Sequence, residues 1–201
     1  MASELCETLP KRVKSCQTPS RFCTVFMGSS DGNSPAYLAA ARKLGCLLAA
    51  NDIGLVYGGA TGGLMGAVAD GVLDNNGYAV GVWPNVLMGV EQHPGLSELI
   101  TTSTMQERKQ LMADKADVFV ALPGGSGTLD ELTEVIDFRK LKHHNKPIFA
   151  LNTQNFWNPL REMYQKMEEA GFMKSGLRVQ LCEFVGSPEE LLERVQSCIK
   201  P

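Results

Sequence analysis

The chain has 201 residues, 44% of them hydrophobic and 20% charged, which suits one globular domain with a sizeable core. A net charge of −3 gives no basis for a nucleic-acid surface, no apolar run is long enough to span a membrane, and the start of the chain lacks the apolar core of a secretory signal. None of the six cysteines forms a CxxC pair, and Cys23 and Cys46 fall on apolar faces as buried thiols, which favours a reducing, cytoplasmic setting over a disulfide or metal scaffold.

Residues 1–20 lack periodicity, and Lys11, Arg12 and Lys14 read as part of a flexible, solvated N-terminal arm. Residues 21–201 read as a single domain. Phe22 to Met27 is an apolar strand that runs into the turn cluster Gly28-Ser29-Ser30-Asp31-Gly32-Asn33. Ser34-Pro35 then opens an amphipathic helix towards Ala50, with serine at the N-cap and proline at N1. Ile53 to Tyr57 is a second strand, followed by the glycine-rich turn Gly58 to Gly66 and a helix that stops at Asn75-Asn76-Gly77.

Ala79 to Trp83 is a third strand. Asn85 to Gly95 is irregular; it carries Glu91 and a lone His93, read as a surface histidine. Glu98 to Ser103 alternates briefly. Thr104 then caps a helix that holds Arg108 and Lys109, with Glu107 at the capping-box position. Adjacent Arg and Lys usually mark a solvated helix face, but Arg108 has the forked geometry that suits phosphate.

Asp117 to Leu122 is a buried strand that delivers the string Leu122-Pro123-Gly124-Gly125-Ser126-Gly127-Thr128-Leu129-Asp130-Glu131. A helical pattern follows from Leu129 to about Leu141. Glycines at a strand-to-helix turn let backbone approach a ligand, and the first N–H groups of the helix favour an anion. On its own, PGG makes a tight turn, with Thr128 as a helix cap; the two hydroxyls and Glu131 favour ligand binding. The string is neither a Walker A loop nor a GxGxxG fingerprint. Pro147 to Leu151 is a strand, and Phe156 to Gly171 a helix burying Trp157, Leu160, Met163, Tyr164 and Met167. Val179 to Val185 is the last strand, and Ser187-Pro188 opens a terminal helix. This alternation predicts an α/β fold, a Rossmann-like three-layer αβα arrangement with a mainly parallel sheet and a ligand site at the carboxyl ends of the strands.

Four motifs together carry a family resemblance: PGGxGTxxE at Pro123 to Glu131, MxxRK at Met105 to Lys109, GGxxGGLMG at Gly58 to Gly66, and Gly28-Ser29-Ser30 after the first strand. From Arg21 onwards the chain resembles the Lonely Guy family of cytokinin-activating nucleoside 5′-monophosphate phosphoribohydrolases, long labelled lysine decarboxylases. The resemblance implies hydrolysis of the N-glycosidic bond of AMP or an N6-substituted AMP to free base and ribose 5-phosphate, with no metal or other cofactor. It implies catalytic roles for Arg108 and Glu131. Gly125, Ser126, Gly127 and Thr128 would hold the phosphate, and Arg108, Lys109 and Glu91 would contact substrate. Gly28, Ser29, Gly59 and Thr61 complete the implied binding set. A homodimer with active sites near the subunit interface is also implied, with neither nucleic acid nor membrane as partner.

The chemistry agrees with these residue types. Breaking a ribosyl bond builds positive charge on the sugar, which a carboxylate such as Glu131 stabilises while it orients or activates water. The sequence departs from the family pattern at Gln106, commonly His, at Ala60 and Ser126 in the glycine turns, and at Asp137, commonly Thr in the plant enzymes. These departures leave the preferred base open between adenine and its N6-modified forms. The alternative is a non-catalytic protein that binds a nucleotide or another phosphorylated ligand, with no chemical role for Glu131. Lysine decarboxylation normally needs pyridoxal phosphate on a lysine, and no such pattern surrounds Lys109.

Overall fold

The computed structural model describes residues 18–86, 89–174, 176 and 181–199. The expected N-terminal arm falls outside them except for residues 18–20, as does the start of the strand expected from Val179.

The element order is β1 (Phe22–Phe26), α1 (Pro35–Ala50), β2 (Gly54–Tyr57), α2 (Gly63–Leu73), β3 (Ala79–Pro84), β4 (Glu98–Thr102), α3 (Met105–Lys115), β5 (Val118–Ala121), α4 (Ser126–Lys140), β6 (Ile148–Leu151), α5 (Asn158–Glu169), β7 (Glu183–Val185) and α6 (Pro188–Cys198). All seven strands lie in one parallel sheet of order β4-β3-β2-β1-β5-β6-β7. Side chains alternate across each strand, so the sheet feeds two cores. Cys23 and Val25 of β1 pack with Leu44 and Leu48 of α1, Val68 of α2 and Leu191 of α6. Phe26, on the other face, packs with Met112 of α3, Leu132 and Val135 of α4, and Trp157. The expected three layers are therefore present. Near-continuous burial along β2, β3, β5 and β6 is what parallel strands covered on both faces require. The alternating segment Glu98–Thr102 is the edge strand, half open to solvent.

Three expectations need correction. Helix α4 starts at Ser126 rather than Leu129, and its N-cap is Gly125 rather than Thr128. Helix α5 starts at Asn158, after a short 3-10 turn at Thr153–Asn155, and Met163 points outwards at 54% exposure instead of lying on its buried side. Cys23 is a buried free thiol as expected, but Cys46 is disulfide-bonded rather than a thiol.

Candidate functional site

The strand order places a crevice at the centre of the sheet. From β1 the chain winds outwards through β2, β3 and β4, then returns to lay β5 on the other side of β1. Loops after β1 and β5 therefore diverge across a topological switch point, where open α/β sheets bind ligands. The two loops interlock: Gly28 N–H donates to the Pro123 carbonyl at 3.1 Å. Gly124 is fixed by close approach, since a Cβ there would stand 2.2 Å from Thr128 Oγ1 and 2.7 Å from Gly28 N.

Helix α4 begins at this crevice without a side-chain cap. Its first internal bond runs from Leu129 N–H to the Gly125 carbonyl at 3.1 Å, so the N–H groups of Ser126, Gly127 and Thr128 precede the helical ladder. Helix α2 also begins on an uncapped glycine, Gly62. Helices α1, α3 and α6 start instead under the hydroxyls of Ser34, Thr104 and Ser187. Helix α5 likewise starts without a side-chain cap. Among the uncapped starts, that of α4 opens on the cleft through Gly125, Ser126, Gly127 and Thr128.

Helix α3 carries the cation. Thr104 Oγ1 accepts from Glu107 N–H at 3.1 Å, and the Glu107 carboxylate accepts from Ser103 N–H at 2.7 Å, which fixes the start of the helix. One residue on, Arg108 turns inwards and is only 6% exposed. Its Nε donates to the Val82 carbonyl at 3.1 Å, and its Nη1 lies 3.6 Å from Glu131 Oε1. Space for the guanidinium exists because residue 58 is glycine: a Cβ there would lie 2.1 Å from Arg108 Nη2. Burial pulls the Arg108 pKa down, and Glu131 partly restores it. Burial pushes the Glu131 carboxyl up to about 7; Arg108 opposes this shift and Asp130 adds to it. A carboxyl poised near neutrality beside a cleft is suited to proton transfer.

Lys109 lies beside this pair and reaches across to the next carboxylates of α4. Its Nζ lies 3.0 Å from Asp130 Oδ2 and 3.1 Å from Glu134 Oε2, and Gln106 Nε2 donates to Glu134 Oε1 at 3.3 Å. Burial lowers the Lys109 pKa, but the two carboxylates outweigh it and hold the ammonium above its usual value.

Nine of the expected residues line one open cleft of about 550 Å³: Gly28, Ser29, Arg108, Lys109, Gly125, Ser126, Gly127, Thr128 and Glu131. The three others lie apart. Thr61 and Glu91 border a neighbouring opening with Trp83, and Thr61 N–H donates to the Glu91 carbonyl at 3.2 Å. Gly59 takes φ +82°, a Cβ there would lie 3.4 Å from Gly81 Cα and from Trp83 Cε3, and it lines neither opening. His93, expected on the surface, is tucked in with Nε2 3.1 Å from Asp70 Oδ1. Sequence reasoning missed Gly58 as the space for Arg108, and it missed Met27, Met65 and Met105, which give the cleft its apolar wall. A glycine immediately after a strand was the signal for the first; scattered methionines gave none for the others. Among the described residues, no three His, Cys, Asp or Glu side chains come together as a metal site, and no helix is long and apolar enough to cross a membrane.

A family profile described as "Possible lysine decarboxylase" matches residues 65–195. The chain is 40% identical over 182 residues to the Arabidopsis thaliana cytokinin riboside 5′-monophosphate phosphoribohydrolase LOG2, covering 88% of this chain and 85% of that one. It is 38% identical over 180 residues to LOG1 of the same plant, covering 89% and 84%. The chain belongs to the Lonely Guy (LOG) family. This LOG chain also shares its fold with the molybdenum cofactor binding protein of Rippkaea orientalis, at TM-score 0.71 and 23% identity over 92% of this chain and all of that one. A second solved relative in fold is TM1055, at TM-score 0.69 and 21% identity over 88% and 99%. At these identities the likeness speaks for the fold of the LOG chain alone.

Proposed function

We propose that this chain hydrolyses the N-glycosidic bond of a nucleoside 5′-monophosphate, AMP or an N6-substituted AMP, to the free base and ribose 5-phosphate. The observation that carries this reading is the buried Arg108–Glu131 pair, set less than two turns inside the helix whose open start faces the same cleft. The 5′-phosphate sits on the N–H groups of Ser126, Gly127 and Thr128, beside the loop of Gly28 and Ser29. That places the ribose over Glu131 and the base against Met27, Met65 and Met105, which adapt to flat rings of varied substitution. As the bond to the base lengthens, Glu131 stabilises positive charge on the sugar and orients the attacking water. Arg108 holds Glu131 in place and favours its ionised form. The phosphate supplies binding energy remote from the reacting carbon and keeps the sugar in register.

The decarboxylase description finds no support in Lys109. A Schiff-base lysine needs its free amine, and two carboxylates keep Lys109 protonated.

The working unit in this reading is residues 21–201, assembled as a homodimer in the cytoplasm. Leu129 and Phe138 of α4, Leu141 just past its end and Met105 of α3 are exposed large apolar residues that a second copy would cover. Glu91 and Thr61, apart from the cleft, then border the substrate from its open side. Incubation with AMP and with isopentenyladenosine monophosphate, followed by chromatography of base and ribose 5-phosphate, tests the function. Release from nucleotide but not from the matching nucleoside is expected. Saturable binding with no release from any nucleotide would leave the non-catalytic binding protein as the better reading.

A further inference from the structure

Lys109 and Glu134 make contacts that the reaction drawn above does not use. Lys109 Nζ spans two carboxylates of α4, Asp130 and Glu134, and its side chain is only 15% exposed. Glu134 is the shared node, since it also accepts from Gln106 of α3. Asp130 and Glu134 are one helical turn apart, so this clamp fixes α4 against α3 at two points on either side of Glu131. Glu131 and Arg108 belong to the same two helices, and their 3.6 Å approach depends on that spacing. Below the cleft, Glu131, Glu134, Gln106 and Lys109 share the wall of a cavity of ≈ 10 Å³, room for one water, closed by Phe26 and Phe138.

We propose that Glu134 and Lys109 are positioning residues of this active site: the Lys109–Glu134 clamp sets the α3–α4 spacing that presents Arg108 to Glu131, and its charges tune the ionisation of Glu131. Lys109 then acts through Glu131 and is not a phosphate ligand. The inference rests on the hydrolase reading for its kinetic consequences only. The charged groups facing Glu131 are Arg108 and Lys109 from α3, and Asp130 and Glu134 from α4. β1 and α2 contribute Phe26 and Met65 to the walls around Glu131, and Met27 follows directly after β1, none of them charged. Removing Glu134's charge therefore eases ionisation of Glu131, whereas removing Lys109's charge opposes it.

The test compares Glu134→Gln and Lys109→Met with the unaltered chain by two readouts. In ¹³C NMR titration of labelled glutamate carboxyls, the Glu131 midpoint moves down in Glu134→Gln and up in Lys109→Met, each by about half a unit or more. In nucleotide hydrolysis, kcat falls by roughly tenfold in both variants, while KM for AMP stays within about threefold. A large rise in KM with kcat unchanged in Lys109→Met would make Lys109 a substrate ligand and overturn the proposal. Unmoved or parallel Glu131 titrations would overturn it too. If no nucleotide is hydrolysed by the unaltered chain, the function fails while the NMR titration still decides the clamp.

Discussion

Arg108 Nη1 stands 3.6 Å from Glu131 Oε1, and neither side chain is more than a tenth exposed. Burial works against both charges, and each is the other's main compensation. Glu131→Gln keeps the shape of the pair and removes the negative charge. Turnover of AMP should fall by about 100-fold or more, with AMP binding retained. Calorimetric binding beside a base-release assay checks this, and a variant as fast as the unaltered chain would end Glu131's catalytic role.

The Glu131 carboxyl titrates near 7 in the folded chain against 4.5 for an ordinary glutamate. If its ionised form does the work, kcat/KM should climb as pH rises through about 7 and level off above it. That limb should vanish from the residual activity of Glu131→Gln. A profile that falls through the same range would instead mean that the carboxyl acts as an acid.

Because folding raises this pKa, the folded state holds the proton more tightly than the unfolded one. Stability contributed by Glu131 therefore declines as pH rises from 4.5 to about 7. Removing the cation raises the pKa further and extends that decline to higher pH. Arg108→Met should cost roughly 2–3 kcal/mol at pH 8 and clearly less at pH 6, where Glu131 takes up a proton. Urea unfolding at the two pH values measures the difference.

Gly58→Ala places a methyl group where Arg108 Nη2 lies, at 2.1 Å from it. The guanidinium must leave its seat under Val82. Activity should drop by about 100-fold while the far-ultraviolet circular dichroism stays that of the unaltered chain. Retained activity would mean that Arg108 can work from another position.

Ser126→Pro isolates the phosphate cradle. Proline suits the first position of a helix, and Gly125 is already extended at φ −88°, ψ −160°, which a following proline favours. The substitution deletes one N–H and one hydroxyl from the crevice and leaves the helix intact. KM for AMP should rise by about tenfold, with Tm within a few degrees of the original. An unchanged KM would move the phosphate away from α4.

Apolar strands and helical periodicity made the fold class legible from Phe22 onwards, because each buried strand is a short apolar run and each helix a periodic one. The order of strands was not legible, since pairing of β1 with β5 depends on contacts distant in sequence. The start of α4 was placed three residues late because Gly125 and Gly127 have little helical propensity. Those weak helix formers leave the first N–H groups open, so the misread boundary falls at the cleft itself. Arg108 was legible as a ligand candidate but not as a buried group, because its seat is made by Gly58, just after β2, and by the Val82 carbonyl of β3. Glu91 and Thr61 were grouped with the cleft by resemblance. In the fold the antiparallel bridge between Ala60 and Gln92 draws them to a separate opening.

The central position of β1 has a consequence for how the protein comes into being. Phe22 N–H is bonded at 2.7 Å to the carboxylate of Asp117, 95 residues further along the chain. A growing polypeptide can pair β1 with β2 early, but it makes Arg108 before there is any carboxylate to receive it. Until β5 slots in beside β1 and draws α4 after it, that guanidinium has the Val82 carbonyl to bond but no buried anion to meet. Competence for nucleotide is therefore acquired late, as the sheet closes around its own first strand, and a half-synthesised chain has a β1–β4 scaffold with no chemistry on it.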